Sequence, residues 1–336
     1  RIFGFLIPKV LMSLQKSLAL PVAALAWLGR QGTRALAALV FIGLAVPPLG
    51  EMLKPYISHS VFVLLCISFT RVDVAALRSH LSRPMLVIGA TLWSAVGIPV
   101  LFGAGSLIVR LDQASPELFL GVMLQSVTSP MNSAPALVAL MGLDATLVLI
   151  TLVTTTAMVP FTAPLIASIF FGSALSISPL ALGLKLIGLL AGAIVVATVI
   201  RRLAGPAAIV RYSQAIDGFT VIVLLVLVSG LLGSVAMSFW ADPVGVLLVT
   251  LLAFAAAVAL LGLTVLVFRK AGHERAWALG FMVSQRNLGL MLAAANGGLP
   301  GLTWLYFALS QFPIYLFPHL LKPMFRRDRT VSQPAP

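Results

Sequence analysis

The sequence predicts an all-α membrane protein with about ten transmembrane helices. Three observations support this prediction: the composition, the length of the apolar runs and the placement of the charges. Of the 336 residues, 60% are hydrophobic and only 9% are charged, whereas a soluble domain carries roughly 25% charged residues. The mean hydropathy is +1.09. A chain with so few charges cannot cover a surface that faces water, so the solvent that suits it is lipid.

The apolar runs define the predicted elements in chain order. Residues 1–34 are broken by prolines and basic residues, so we expect a cytoplasmic or interfacial segment, with a span inside 10–29 as an alternative. Runs of about 20 residues then follow at short intervals, which leaves no room for a soluble domain between them. The predicted spans are 35–50, 57–77, 84–109, 117–141, 145–172, 178–200, 212–238, 243–268, 275–297 and 301–324. Residues 326–336 are expected to form a cytoplasmic tail.

The basic residues predict the orientation of these spans. Of the 22 Lys and Arg residues, Lys54 and Arg110 fall in predicted outside loops, and Lys185 and Arg286 fall within spans. The other 18 lie in predicted inside segments. By the positive-inside rule, we expect an inner-membrane protein with both termini in the cytoplasm. The same clusters account for the net charge of +13 without a nucleic-acid partner.

An even number of spans predicts two halves of five helices, 35–172 and 178–325. Because five is odd, the second half runs in the opposite sense to the first, which is the inverted-repeat plan of many secondary transporters. The fourth and ninth spans occupy equivalent positions, and polar residues interrupt both, at 125–135 and 284–289. Exposed backbone in hydrocarbon is tolerated only where it lines a protein or water cavity. We therefore expect these two broken helices to cross near the middle of the membrane.

The side chains at the two interruptions are the candidate binding residues. Arg286 is the most informative, because a charge near mid-membrane is costly and usually functional. Asp217 is the only carboxylate that lies comparably deep, so it is the expected partner if the arginine is structural. A proline kink with hydroxyls bonded to their own helix is the alternative interpretation of the interruptions. The candidates from the interruptions and from the threonine-rich fifth span are Thr128, Ser129, Asn132, Ser133, Thr154, Ser284, Gln285, Arg286 and Asn287.

Motifs for catalysis or nucleotide binding are missing from the sequence. It contains no His-Glu-x-x-His, no phosphate-binding loop and no Gly-x-Ser-x-Gly. The single cysteine, Cys66, cannot form an intrachain disulfide or a cysteine-based metal cage. An enzyme is therefore not expected, and any transport is expected to be secondary or passive.

Several short motifs over residues 35–325 resemble one known family. They are LCISFTRVD at 65–73, SRP at 82–84 with Pro99, PEL at 116–118, the spacing of 144–160, and RNLGL at 286–290. Together they are similar to the bile acid:sodium symporter family, within the larger group that includes arsenite permeases. The resemblance implies ten helices arranged as a panel domain and a core domain, with fourth and ninth helices that cross in the core.

The sequence departs from this family at the positions that bind sodium. The family's second interruption contains a Glu and a Gln, and the residues at these positions are Met282 and Arg286. A Gln that commonly precedes the proline of the third helix is replaced by Ser94, which joins the candidate site through this alignment. The Ser-Asn pair of the first interruption falls on Ala134 and Pro135. The carboxylate that helps to hold sodium is therefore missing, and a permanent positive charge lies nearby.

These observations predict a secondary transporter of an organic anionic solute that works by alternating access without strict sodium coupling. Arg286 is expected to take the place of the coupling cation. Two alternatives stay open. One is a sodium-coupled anion symporter that uses Asn132, Ser133, Thr154 and Gln285 as ligands. The other is a transporter-like receptor or scaffold. No cofactor is expected apart from sodium in the first alternative, and the expected partners are a small organic solute and the lipid bilayer.

Overall fold

The computed structural model describes residues 20–31, 33–71, 84–170, 178–295 and 298–331. These residues form helices and no β-strand. Six of the helices are long and apolar enough to cross a membrane. The prediction of an all-α membrane protein is confirmed. Most of the predicted N-terminal segment and the end of the predicted tail lie outside the described residues.

The described helices follow one another with short connections. Apart from the short helices Leu111–Ala114 and Pro206–Arg211, they are in chain order α1 (Leu20–Arg30), α2 (Thr33–Ala45), α3 (Pro47–Arg71), α4 (Pro84–Ile108), α5 (Pro116–Val127), α6 (Ala134–Met141), α7 (Ala145–Phe170), α8 (Pro179–Ala204), α9 (Ser213–Ala241), α10 (Pro243–Ala271), α11 (His273–Ser284), α12 (Leu288–Ala294), α13 (Gly301–Leu309) and α14 (Gln311–Val331). The six long apolar helices are α3, α4, α7, α8, α9 and α10. Helix α14 continues through the first residues of the predicted tail.

Three helices begin where the sequence supplies a capping oxygen followed by proline. The Ser115 hydroxyl accepts a hydrogen bond from the Leu118 amide at the start of α5, at 3.4 Å. Ser178 accepts one from the Ala181 amide at the start of α8, at 3.2 Å. Asp242 caps α10 in the same way. Proline follows each cap, where its fixed φ suits the first helical turn and its missing N–H costs nothing.

The other predicted spans are shorter or interrupted. The predicted fourth span, 117–141, consists of α5 and α6, and the ninth, 275–297, consists of α11 and α12. The tenth span, 301–324, divides at Ser310 into α13 and α14. Each piece of the fourth and ninth spans falls well short of the roughly 20 residues that a membrane-spanning helix needs. Helix length and apolarity therefore identify six spans, and the ten-helix arrangement requires that the fourth, ninth and tenth spans and the 13-residue α2 also cross.

The helices form two packed groups that share α8. Helix α9 packs against α2 and α3, and α3 also packs against α8 and α12. Helix α7 packs against α4, α6, α8 and α11, while α11 pairs with α10. Large apolar side chains such as Phe161, Leu184 and Leu248 point outward from these groups. An apolar outer surface is what a lipid environment favours.

Helix α1 lies directly against the first turns of α9. A Cβ atom at Gly218 would overlap the carbonyl oxygen of Leu25, and one at Gly29 would overlap that of Gln214. The two backbones are therefore in contact, which only glycine permits at these positions. Helix α1 is apolar but too short to span a bilayer alone. The alternative of a span inside 10–29 lies largely outside the described residues.

Candidate functional site

The two interruptions meet and are joined by hydrogen bonds. The Met131 amide donates to the Gln285 carbonyl at 2.6 Å, and the Asn287 amide donates to the Ser129 carbonyl at 2.9 Å. These two bonds form a short antiparallel bridge between the segments. The Thr128 hydroxyl adds a bond to the Asn287 carbonyl at 2.8 Å. The predicted meeting of the two interruptions is confirmed, and the bridge supplies partners for backbone groups that leave the helices there.

Four helix ends converge where the two interruptions, 125–135 and 284–289, meet. This region is called the crossing below. Helix α5 ends at Val127, after which Thr128 is extended, and α11 ends at Ser284. Helices α6 and α12 begin on the other side of the two interruptions, at Ala134 and Leu288. The carboxyl ends of α5 and α11 carry partial negative charge, and the amino ends of α6 and α12 carry partial positive charge. The crossing therefore offers a place for a cation next to a place for an anion.

The Arg286 side chain occupies the position at the crossing that favours a cation. Its Nη1 donates to the Thr128 carbonyl at 2.8 Å and to the Ser94 hydroxyl at 3.1 Å, and its Nη2 donates to the Ser94 carbonyl at 3.3 Å. Ser94 lies in a π-helical turn, Trp93–Gly97, within α4. The arginine is 1% exposed, and its Nε has no hydrogen-bond partner among the described residues. Within the described part of the chain, only neutral oxygens accept hydrogen bonds from this guanidinium.

Arg286 does not pair with Asp217, the partner expected for it if the arginine is structural. The Asp217 carboxylate pairs with Arg71, with Nη1 and Oδ1 2.6 Å apart. This happens because the end of α3 lies against the first turns of α9, where Arg71 also donates to the Ser213 carbonyl. Among the described side chains, the second ion pair joins Arg275 to Asp144. Neither pair involves Arg286.

A cavity of about 490 Å³ extends from the crossing to the Arg71–Asp217 pair. Gly289 of the crossing lies against Val61 in α3 and Leu227 in α9. Arg71 and Asp217 are each ten residues from those contacts along their helices, which corresponds to about 15 Å. The cavity therefore has a polar end at the crossing and a second polar end at the ion pair.

The walls between these ends are mainly apolar. Residues from α3, α6 and α9 line the cavity there, among them Leu64, Ile67, Leu137, Leu140 and Leu224. The end at the crossing is lined by Asn132, Ser133, Arg286 and Asn287. Such a cavity suits a solute with an apolar body and one polar group. A negative group at the crossing would gain from the guanidinium and from the amino-terminal turn of α6.

Two of the predicted site residues are satisfied locally. The Ser284 hydroxyl donates to the Phe281 carbonyl of its own helix at 2.8 Å. The Thr154 hydroxyl lies 2.7 Å from that of Thr91 and 3.0 Å from the carbonyl of Ile150. No hydrogen bond between described residues links Thr154 to either interruption. For these two residues, the alternative of a hydroxyl bonded to its own helix describes the structure.

Several buried oxygen atoms near the interruptions and on α7 have no hydrogen-bond partner within the part of the chain that the structure describes. They are Ser129 Oγ, Ser133 Oγ, Thr151 Oγ1, Thr155 Oγ1 and Gln285 Oε1. Thr151 and Thr155 share one face of α7, as their spacing predicts. Neutral hydroxyl and amide oxygens can bind a monovalent cation or water, so these atoms are relevant to the sodium-coupled alternative.

Some residues that line the cavity are not among the predicted site residues, including Thr156, Gln311 and Tyr315. Gln311 follows the division of the predicted tenth span at Ser310, and a polar residue within an apolar run is a signal that identifies it. Tyr315 is one helical turn further along α14. Nothing in the sequence distinguishes Thr156 from the neighbouring threonines, because only packing decides which of them faces the cavity.

Comparison with known proteins adds no relative from which a function can be transferred. No known protein family's model matches this chain, and comparison with curated proteins finds no match. The geometry of the crossing and its cavity is therefore the basis for the function.

Proposed function

We propose that this protein is a secondary transporter of an organic anionic solute that operates without strict sodium coupling. The solute binds in the cavity with its negative group at the crossing, and transport proceeds by alternating access of the two crossed half-helix pairs. The observation that carries this proposal is the buried Arg286 at the polar end of the cavity, where its hydrogen-bond acceptors among the described residues are Ser94 and Thr128.

The helix crossing supports transport more than it supports a structural role. Interrupting a membrane helix leaves backbone groups without partners, and each such group costs several kcal/mol in hydrocarbon. Paired interrupted helices whose ends meet beside a cavity are the arrangement that secondary transporters use to bind solutes and ions. The antiparallel bridge between Pro130 and Arg286 joins two such helices here.

The charge of Arg286 supports an anionic solute and argues against a strict need for sodium. Two unit charges about 4 Å apart at an effective dielectric constant near 20 interact by about 4 kcal/mol. A sodium ion beside the guanidinium would be repelled by that order, whereas a carboxylate or sulfonate would be attracted. The guanidinium also bonds three oxygens that a cation at this place would otherwise use.

The proposal includes the arrangement of the whole chain. We infer ten spans in two inverted repeats, with both termini on the cytoplasmic side of the inner membrane, from the interrupted spans at equivalent positions and the distribution of basic residues. Membership of the bile acid:sodium symporter family is part of the proposal, with Met282, Arg286 and Ser94 as departures from its sodium-binding residues. Cysteine labelling at residues 30 and 329 of intact cells tests the orientation, and labelling of either from outside would contradict it.

Reconstitution into proteoliposomes tests the function directly. Vesicles loaded with unlabelled anion are assayed for counterflow of benzenesulfonate, naphthalene-2-sulfonate and taurocholate, whose permanent charge prevents passage through lipid. Each is measured in sodium and in choline buffer. We expect counterflow of at least one anion in both buffers, its loss in Arg286→Gln, and its retention in Arg275→Gln, which alters the surface pair with Asp144. Specific binding without counterflow would contradict transport and indicate a receptor or scaffold.

The unpartnered buried oxygens favour a second candidate, a sodium-coupled anion symporter. Ser133 and Gln285 both belong to the predicted ligand set, and Ser133 Oγ and Gln285 Oε1 have no hydrogen-bond partner among the residues described. Thr154 and its neighbour Thr91 satisfy each other, which weakens that part of the set. The same counterflow assay decides between the candidates, because strict dependence on sodium in the wild type would reject the first and support the second.

A further inference from the structure

We propose that this transporter is an anion exchanger, which returns across the membrane quickly with a bound anion and slowly when its site is empty. The inference rests on the proposed function and concerns the step that follows release of the solute. The observation behind it is the charge of the site, counted from the contacts of Arg286.

The empty site carries one uncompensated positive charge. The acceptors of Arg286 are the carbonyl of Thr128 and the carbonyl and hydroxyl of Ser94, all of which are neutral. Among the described residues, the carboxylates that form ion pairs are Asp217 and Asp144, and both are paired with other arginines. A guanidinium keeps its proton in proteins, so burial does not remove the charge. Binding of one monoanion brings the site to neutrality.

The positive charge of Arg286 moves together with the crossing, to which the residue belongs. Arg286 belongs to the interruption between α11 and α12, while its hydrogen-bond acceptors belong to α4 and to the interruption after α5. The antiparallel bridge ties the two interruptions together as well. A rearrangement that moves the crossing from one side of the membrane to the other therefore carries the guanidinium with it.

The consequence is a difference between the loaded and the empty carrier. Moving an unpaired charge through a low-dielectric region is strongly unfavourable, whereas a guanidinium paired with an anion crosses as a neutral unit. Exchange of one anion for another uses only the neutral form. Net transport in one direction requires the charged, empty form to return, so that return limits the rate.

A comparison of two efflux modes tests this inference. Proteoliposomes containing the full chain are loaded with labelled naphthalene-2-sulfonate, and the efflux is measured into buffer with or without the same unlabelled anion outside. Gluconate is the only other external anion. We expect efflux with the unlabelled anion outside to be faster by about tenfold or more. Arg275→Gln is expected to keep this ratio.

The dependence on membrane potential provides a second readout that needs no variant. A potassium gradient with valinomycin makes the vesicle interior negative, which draws the positive empty site inward and should accelerate net efflux. Exchange should not respond, because its moving form is neutral. Equal rates in the two modes, or exchange that responds to the potential, would overturn the inference while leaving the transporter proposal intact. Absence of flux for every tested anion in both modes would overturn both proposals.

Discussion

Two arginines, Arg71 and Arg286, line the same cavity and differ in their exposure and in the groups that they contact. The side chain of Arg71 is 36% exposed and pairs with the Asp217 carboxylate at 2.6 Å. Arg286 is 1% exposed, and its hydrogen-bond acceptors among the described residues are all neutral oxygens. Water can solvate a charge at the first position, so its presence there costs little and indicates little. Burial without a carboxylate is costly at the second position, and such a charge is retained where function requires it.

Under the proposed function, the difference also describes the path of an anion. At the end of the cavity near Arg71, the nearest charged groups cancel each other in the pair with Asp217. At the crossing, about 15 Å away along the helices, the charge of Arg286 is uncompensated by any described carboxylate. The attraction on an anion therefore increases toward the crossing. The apolar walls between the two ends favour an apolar body in the rest of the solute.

The largest expected effect comes from neutralising the two arginines in turn. Arg286→Gln should lower anion counterflow by about 100-fold, because a buried charged partner is worth roughly 2–5 kcal/mol. Arg71→Gln should change it less than about threefold, because solvent screens that exposed pair. Counterflow in proteoliposomes measures both, with size-exclusion chromatography as the control for folding. Equal losses in the two variants would break the comparison.

A smaller effect is expected at the residue that holds Arg286. Ser94→Ala removes a hydroxyl that accepts a charged hydrogen bond at 3.1 Å. Loss of such a bond should lower the free energy of unfolding by about 2 kcal/mol. Ser106→Ala, at another buried serine of α4, is the matched control and should change it by less than about 0.5 kcal/mol. Denaturant titration of the purified protein measures both, and equal changes would argue against a special role for Ser94.

Replacing each arginine by lysine separates charge from shape. Arg286→Lys keeps the charge but loses the planar fork that reaches both Thr128 and Ser94, so anion affinity should fall by about tenfold. Arg71 contacts the carboxylate through one nitrogen, so Arg71→Lys should have little effect. Affinities from the concentration dependence of counterflow provide the measurement. Wild-type affinity in Arg286→Lys would show that charge alone accounts for the site.

The smallest effect is expected from the exposed ion pair. A double-mutant cycle with Arg71→Gln and Asp217→Asn should give a coupling of roughly 0.2–1 kcal/mol in the free energy of unfolding. The coupling should decrease further at high salt, because both side chains are partly exposed. A coupling above about 2 kcal/mol would mean that this pair is a major structural contact, and the contrast with Arg286 would then be weaker.

The same two arginines show what sequence alone can and cannot predict. Proline and polar residues inside apolar runs, together with a charge at 286, predict the interruptions and their meeting, because each is costly in lipid unless a site accommodates it. The identity of the acceptors could not be predicted. Asp217 is the only deep carboxylate in the sequence, yet it pairs with Arg71, and the carbonyls of Ser94 and Thr128 hold Arg286. Backbone acceptors have no side-chain signature, so only the packing reveals them.

The number of spans shows the same limit. Apolar runs long enough to cross predict α3, α4, α7, α8, α9 and α10 directly. The interrupted spans are predicted only by considering the two interruptions together. Helices α6 and α12 are short, and the position of each depends on contacts with the opposite interruption. Thr154 illustrates the error that remains, because its spacing on α7 does not tell whether it faces the crossing or Thr91.

The backbone contact between α1 and α9 has a practical consequence. Because glycine at 29 and 218 lets the two helices touch, α1 is in direct backbone contact with α9, a helix that lines the cavity. An antibody fragment bound to the face of α1 that points away from α9 would therefore restrict movement of the cavity wall. Such a reagent offers a way to hold the protein in one conformation for structural work without placing anything inside the cavity.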